Sequence, residues 1–328
     1  MCSTLGVAPR PLQLQRTCIF STIISSASLT RETLVDLPVE HLATFTAVVD
    51  EGSFEGAARR LHITPSAVSQ RVRAMEERVG SVLVQRTRPV TVTEAGAAVL
   101  RAARQIARIA DDLGAELGHG PAGGTLIPIV VNADSLATWF VPALAEAARE
   151  TGVYFEVIRA DETVSTESLR NGSVMAALTA TREPVPGCTS SRLGGDRYRA
   201  VASPEFVARH FPDGLTVEAL RRAPTVEFDR HDAFQQRFLH RITRARVEPP
   251  RHFIPSSAEF AHAVELGMGW GMLPALQCVE PLAAGRIVEL EPGTTVELPL
   301  YWQRWNLRSP VLDTLSEVVA RHAAVALA

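Results

Sequence analysis

The sequence predicts a multi-domain chain with three consecutive parts: a mainly α N-terminal winged helix-turn-helix, a long linker helix, and a two-lobed α/β domain. Three observations carry this prediction. Short helical patterns near residues 54–73 lead into a basic hairpin, a long amphipathic pattern starts at Glu94, and strands alternate with helices after Gly124. The length of 328 residues also exceeds one domain of about 100–200 residues.

Two short helices are predicted first. Leu42, Phe45 and Val49 recur at helical spacing, and Gly52 ends the pattern. Ser53 can then cap a second helix, "FEGAARRL", through its side-chain oxygen. We expect these small helices to pack against each other.

The third helix is predicted to start at Thr64 as N-cap, with Pro65 in the first turn. Its buried stripe consists of Val68, Val72, Met75 and Val79. The opposite face carries short or forked hydrogen-bonding side chains, namely Ser66, Ser69, Gln70 and Arg73. After Gly80, "SVLVQRTRPVTVT" predicts two short strands that form a wing.

Charge is concentrated in this region. The chain has a formal net charge of −3, yet the stretch from Arg59 to Thr91 holds seven arginines and two glutamates. Such a local excess of positive charge is typical of a surface that binds nucleic acid. We therefore predict that the third helix lies in the major groove of double-stranded DNA, where each base pair presents a distinct pattern of donors and acceptors.

Eight residues of the third helix and the wing are predicted to contact DNA. Gln70 can bind adenine through two hydrogen bonds, and Arg73 can reach guanine or phosphate. Wing arginines contribute affinity more than sequence preference. The alternative for each exposed polar residue is that it lies on a solvated surface without contacting DNA. The predicted DNA-binding residues are Thr64, Pro65, Ser66, Ser69, Gln70, Arg73, Arg86 and Arg88.

The linker helix is predicted from the one-sided apolar pattern that follows Thr93. A helix this long and apolar favours packing against a second copy of the chain. The segment "GHGPAGG" then has the composition of a flexible connection. The predicted ranges are an N-terminal extension at 1–35, the winged helix-turn-helix at 36–93, the linker helix at 94–120 and the α/β domain at 124–328.

The α/β domain is predicted from parallel strand–helix–strand units such as "TLIPIVV", "SLATWFVPALAEAARE" and "YFEVIRA". The chain crosses into a second lobe near "YRAVAS" and returns through "LPLYWQRW" to a final helix at Pro310–Leu327. We assign lobe I to about 124–200 and 285–328, and lobe II to about 201–284. Two such lobes form a cleft at the carboxyl ends of their strands.

Polar residues at these strand ends are the candidate effector-binding residues. The helix N-terminus at Asn132–Ser135 offers N–H groups to a carboxylate, although Asp134 can serve as its cap instead. Asp161 and Glu162 form an adjacent acidic pair that suits a cationic ligand or lies solvated in a loop. The full set is Asn132, Asp134, Ser135, Asp161, Glu162, Thr179, Asp229, Ser256 and Ser257.

The order of these parts, and above all "GSFEGAARRLHITPSAVSQRVRAMEERVGSVLVQRTRPVTVTEAG", resembles the LysR-type transcriptional regulators over roughly Asp36 to the C-terminus. Segments such as "VNADSLATWFVPAL" and "LYWQRW" resemble the ArgP/LysG branch. The resemblance implies a periplasmic-binding-protein-like effector domain, a homodimer that pairs into a tetramer, and contact with RNA polymerase. It also implies control of amino-acid export by L-lysine or L-arginine, with no cofactor.

Two other classes of protein are weighed against this interpretation. An enzyme would need a catalytic or metal-ligating constellation, and "GMGWG" precedes a strand instead of opening a helix. A transporter's solute-binding protein would have no use for an arginine-lined helix. A faint secretory pattern at "CIFSTIISSASLT" competes with the interpretation that translation begins at Val35. We therefore expect a cytoplasmic protein without a metal, in which Cys188 and Cys278 either pack or form a redox pair.

Overall fold

The computed structural model describes residues 36–117, 125–160 and 162–327, without the side chains of residues 115, 116 and 162–164. The predictions for residues 1–35, for the connection at 118–124 and for Asp161 lie outside these ranges, and the prediction for the Glu162 side chain does as well.

The N-terminal domain packs three helices around one core and adds a two-stranded antiparallel wing. Its helix starts follow the capping residues in the sequence. Ser53 Oγ accepts a hydrogen bond from Gly56 N at 3.0 Å, and Thr64 Oγ1 accepts one from Ala67 N at 3.2 Å. The elements are α1 (Val39–Asp50), α2 (Phe54–Leu61), α3 (Pro65–Val79), β1 (Val84–Gln85) and β2 (Thr91–Val92).

The linker helix, α4 (Glu94–Glu116), belongs to the N-terminal domain at one end and is exposed at the other. Leu100 and Ala103 are buried in the core of the winged helix-turn-helix. The apolar side chains further along are exposed in this single chain, as expected of a face that packs on a second copy. These side chains are Ile106, Ile109, Leu113 and Leu117.

Lobe I starts with three parallel strands and the helices between them. The helix predicted after Asn132 is interrupted by a five-residue π-helical segment. Pro142 lies two residues after this segment and has no N–H, so the α-helical bond to the carbonyl of Thr138 cannot form. The elements are β3 (Leu126–Val131), α5 (Ala133–Ser135), the π-helical segment (Leu136–Phe140), α6 (Val141–Thr151), β4 (Tyr154–Arg159), α7 (Glu162–Arg170) and β5 (Ala176–Thr179).

Lobe II is entered through one long strand and contains two separate apolar cores. Its elements are β6 (Cys188–Ala202), α8 (Pro204–His210), α9 (Val217–Arg222), β7 (Thr225–Glu227), α10 (Phe234–Ile242), β8 (Arg251–Phe253), α11 (Ser257–Glu265), β9 (Gly271–Pro274), α12 (Ala275–Ala283) and β10 (Val288–Glu289).

The chain returns to lobe I through β11 (Thr295–Trp305) and ends in α13 (Pro310–Ala326). Strands β6 and β11 pair antiparallel along almost their whole length and join the lobes in one sheet of order β10-β6-β11-β5-β3-β4, in which β9 also pairs with β6. Leu193 has no partner in this register, so a β-bulge lies in the crossover.

The two crossovers between the lobes are extended segments of the chain. The first crossing begins earlier than about residue 200, because β6 starts at Cys188. Its first half, "TSSRLGGDR", is polar and contains two glycines, so it lacks the alternation that marks a strand. The return comes later than residue 285, because Val288 and Glu289 still pair with the lobe II end of β6.

Candidate functional site

The first candidate site is the outer face of α3. Val68, Val72 and Met75 are fully buried on the inner face of this helix. On the outer face, Ser66, Gln70 and Arg73 are exposed and Ser69 is half-buried. The outer face therefore presents hydroxyl, amide and guanidinium groups, which are the side chains that recognise base edges.

The wing continues this surface. The Arg86 guanidinium lies over the Phe54 ring, 5.0 Å from its centroid, a cation–π contact that places a positive charge beside α2. Arg88 is exposed at the tip of the wing. Arg73 Nε donates to Glu77 Oε1 at 3.1 Å, but an exposed ion pair of this kind contributes only about 0.5 kcal/mol and can yield to a DNA contact.

Several arginines of the basic stretch stabilise the domain instead. Arg71 donates to Thr44 Oγ1 at 3.1 Å and to Glu40 at 3.3 Å, and Arg78 donates to the carbonyl of Asp36 at 2.8 Å. The number of arginines in this stretch is therefore larger than the number that are available to contact DNA.

The second candidate site is a cavity of about 590 Å³ between the two lobes. It lies at the carboxyl ends of strands from both lobes, where open α/β sheets bind ligands. The polar side chains that line it come from separate elements. They are Asn132, Asp134, Arg159, Ser165, Thr179, Tyr198, Asp229, His231, Asp232 and Ser257.

Asp134 bridges the two lobes across this cavity. Its carboxylate accepts hydrogen bonds from Tyr198 Oη and from Ser257 Oγ, both at 2.6 Å. Gln277 Nε2 donates to the same Ser257 Oγ at 2.9 Å. The helix cap is Asn132, whose Oδ1 accepts from Ser135 N at 3.2 Å. The alternative role of Asp134 as the cap is therefore wrong, and its carboxylate faces the cleft.

Two further carboxylates come from the loop after β7. Asp229 Oδ1 accepts hydrogen bonds from the backbone N–H groups of His231 and Asp232, at 2.7 and 3.1 Å. Asp232 accepts from Phe228 N at 2.9 Å and from Phe234 N at 3.0 Å. Both carboxylates are thus held in place by backbone donors and keep further acceptor capacity toward the cavity.

Burial and the proximity of other acidic groups raise the pKa values of several acidic side chains at this site. Burial, with the nearby Asp134 carboxylate, raises the pKa of Asp196 to about 7. Burial also raises the pKa of Asp232 above its ordinary value, and that of Tyr198 well above its own. Carboxyl groups crowded in this way favour a positively charged ligand, which relieves their repulsion.

We expect Asp196→Asn to flatten the pH dependence of stability. Because the folded pKa of Asp196 lies above its ordinary value of 3.8, the protonated carboxyl stabilises the fold at low pH. This contribution, on the order of 4 kcal/mol in full, is lost progressively as the pH rises from 3.8 to about 7. Urea unfolding between about pH 5 and pH 8 measures it. Parallel curves for wild type and variant would contradict the raised pKa, and Asp213→Asn, an exposed position, is the control.

Known protein families match both regions of the chain that hold the candidate sites. Residues 39–97 match the bacterial regulatory helix-turn-helix family of LysR type, and residues 126–324 match the LysR substrate-binding domain. The chain belongs to the LysR-type transcriptional regulators. This confirms the family and the fold that the sequence predicted.

Relatives within the LysR family agree in length and arrangement. The chain is 42% identical over 279 residues to the transcriptional regulator LysG of Mycobacterium tuberculosis, covering 85% of this chain and 91% of that one. It is 41% identical to the lysine export transcriptional regulatory protein LysG of Corynebacterium efficiens, covering 88% and 98%. The structure of full-length LysG from Corynebacterium glutamicum with bound effector Arg has a TM-score of 0.77 at 36% identity, covering 88% and 99%.

In this LysR-type chain the cleft brings together part of the predicted effector set. Ser135 is buried behind the cap and does not line the cavity, and Ser256 Oγ donates to Glu259. The predicted residues that line the cavity are Asn132, Asp134, Thr179, Asp229 and Ser257.

The polar lining residues that the sequence did not predict are Arg159, Ser165, Tyr198, His231 and Asp232. "FDRHDAF" contains a signal for Asp232, since two aspartates three residues apart follow a strand. Tyr198 has no such signal because it lies inside the crossover strand. Among the described residues, no group of three or more His, Cys, Asp or Glu side chains could hold a metal ion, and no helix is long and apolar enough to span a membrane.

Proposed function

We propose that this LysR-type regulator binds its operator through α3 and the wing, and that a basic amino acid in the cleft controls it. The observation that carries the proposal is the convergence of Asp134, Asp229 and Asp232 on one cavity. Three carboxylates are a poor lining for a neutral or anionic ligand, and a guanidinium or ammonium group suits them.

The cavity also suits the other end of an amino acid. Arg159, at the end of β4, lines it together with the helix N-terminus capped by Asn132. A guanidinium side chain and helix N–H groups both favour a carboxylate. A ligand with a positive charge at one end and an α-carboxylate at the other would therefore find complementary groups in both lobes.

The proposed mechanism is a shift between two arrangements of the lobes. A ligand that binds both lobes favours their closed arrangement by its difference in affinity for the two states. The exposed apolar face of α4 supports a homodimer, and a dimer of dimers would place four winged domains on DNA. We propose that the regulator acts in the cytoplasm with RNA polymerase and activates an amino-acid exporter gene, as the name of the relative from Corynebacterium efficiens suggests.

A thermal-shift experiment tests the effector class. L-arginine or L-lysine at about 100 times its Kd is expected to raise the Tm by several degrees, because binding to the folded state adds about 2.7 kcal/mol. L-citrulline has nearly the shape of arginine without its charge and is expected to have little effect, as is L-leucine. Equal shifts with arginine and citrulline would contradict the role of the carboxylates.

The target gene needs a separate measurement. A footprint of the DNA upstream of the protein's own gene and its divergent neighbour, with and without L-lysine, identifies the operator. A ligand-dependent change in the protected pattern beside an exporter gene would support the proposal. Protection beside a gene of another kind would contradict the proposed target.

A further inference from the structure

The linker helix makes a second set of contacts, with the effector domain of its own chain. Arg101, Arg104 and Arg108 follow one another on one face of α4, at the spacing that aligns side chains on a helix. Arg101 Nη1 donates to the carbonyl of Arg170 at 2.9 Å, and Arg104 Nη1 donates to the carbonyl of Asn171 at 3.5 Å. Two linker arginines therefore bind the carbonyls at the C-terminal end of α7.

Helix α7 also reaches the cleft. Ser165, in its first half, lines the cavity, whereas Arg170 is its last residue. Carbonyl groups at a helix C-terminus carry a partial negative charge, so guanidinium groups bind them favourably. One rigid helix thus has a cavity-lining residue near one end and the linker arginines at the other.

Arg104 continues the connection into the DNA-binding domain. Its Nη2 contacts Asp50 Oδ1 at 2.5 Å, at the end of α1. The other oxygen of Asp50 pairs with Arg60 of α2 at 3.3 Å, within the helix-turn-helix. Arg104 therefore touches the effector domain with one nitrogen and the DNA-binding domain with another, and its side chain is mostly buried.

The backbone is shaped for this contact. Gly172 has φ +74°, and a Cβ atom at this position would lie 2.8 Å from Arg101 Cα. Any larger residue would hold the linker helix away from lobe I. Arg108, further along the same face, is buried and paired with Asp112, while its Nε and Nη1 have no partner among the described residues. Burying a cation whose donors are not all paired costs free energy.

We propose that Arg101 and Arg104, docked on the end of α7, form an interdomain joint that transmits effector binding from the cleft to the helix-turn-helix. The proposal rests on the proposed function, since an effector must occupy the cleft for the joint to transmit its binding. A displacement of α7 on ligand binding changes the carbonyl positions that Arg101 and Arg104 hold, and Arg104 carries this change to Asp50.

Two variants open the joint from opposite sides in the full-length protein. Arg104→Gln removes the charge that bridges both domains, and Gly172→Ala pushes the linker helix away without altering the DNA-binding domain. Gly152→Ala is the matched control, because Gly152 also has a positive φ of +67° while no described atom lies within 4 Å of its Cβ position.

The first readout needs no ligand. Hydrogen exchange of the backbone amides at residues 168–173 is expected to be about threefold faster in Arg104→Gln and Gly172→Ala than in wild type, and unchanged in Gly152→Ala. The second readout is the effect of L-arginine on operator affinity. It is expected to shrink roughly fivefold or more in both variants, while the Kd for L-arginine without DNA stays unchanged.

The outcomes separate the two proposals. A wild-type response to L-arginine in both variants, or equal exchange in Gly172→Ala and Gly152→Ala, would overturn the joint. If the wild-type protein binds no basic amino acid, the proposed effector is wrong, and the exchange measurement alone then decides whether the joint exists.

Discussion

Asp134→Asn is expected to weaken binding of L-arginine by about 100-fold, because it removes a carboxylate that contacts both lobes across the cleft. The substitution keeps the size of the side chain, and the amide can accept a hydrogen bond from one of the two hydroxyls while its N–H₂ donates to the other. Operator binding without effector should therefore be unchanged. Isothermal titration calorimetry of the full-length protein measures the first quantity, and fluorescence anisotropy with labelled operator measures the second.

Asp213→Asn controls for the loss of one negative charge, since Asp213 is exposed and does not line the cavity. Loss of binding in the control as well would point to the net charge of the domain. Unchanged binding in Asp134→Asn would show that the cationic end of the ligand lies elsewhere, with Asp229 and Asp232 as the remaining carboxylates of the cleft.

Gln70→Ala is expected to lower the ratio of specific to non-specific DNA affinity by about 10- to 100-fold, the value of one good bidentate contact to a base. Gln70 is exposed on the outer face of α3, while the inner face is held in the core by Val68 and Val72. The helix should therefore stay folded. Competition of labelled operator with unrelated duplex DNA measures the ratio.

Arg88→Gln provides the contrasting variant. A phosphate contact carries no sequence information, so affinity for operator and for unrelated DNA should fall together. The slope of log affinity against log salt concentration should decrease in magnitude by about one. The same loss of discrimination in both variants would mean that α3 is not the element that reads the bases.

The parts of the fold set by local chemistry were predictable from the sequence. Ser53 and Thr64 cap the helices they were expected to cap, and the apolar stripe of α3 is buried. These features depend on neighbouring residues, whose spacing is visible in the chain. The proposed site of DNA contact follows from them, because the buried stripe fixes which side chains of α3 remain outside.

The cleft was predictable only in part. Asn132 and Asp134 follow a strand that its apolar run identifies, so their place at the strand end could be inferred. Tyr198 and Asp196 lie in β6, whose first half is polar and contains two glycines. The hydrogen bond from Tyr198 to Asp134, and the effect of Asp134 on the pKa of Asp196, join residues that are distant in sequence. The contacts of Arg104 with α7 and Asp50 likewise depend on how two domains meet, which no local pattern records.

The bulge at Leu193 has a mechanical consequence. The lobes are connected through two strands that are hydrogen-bonded to each other on both sides of this residue, and the bulge locally disrupts the ladder. We therefore expect the two lobes to rock relative to each other about an axis near the bulge. Ligands of different length would be accommodated as different angles of this rocking motion, without repacking either lobe.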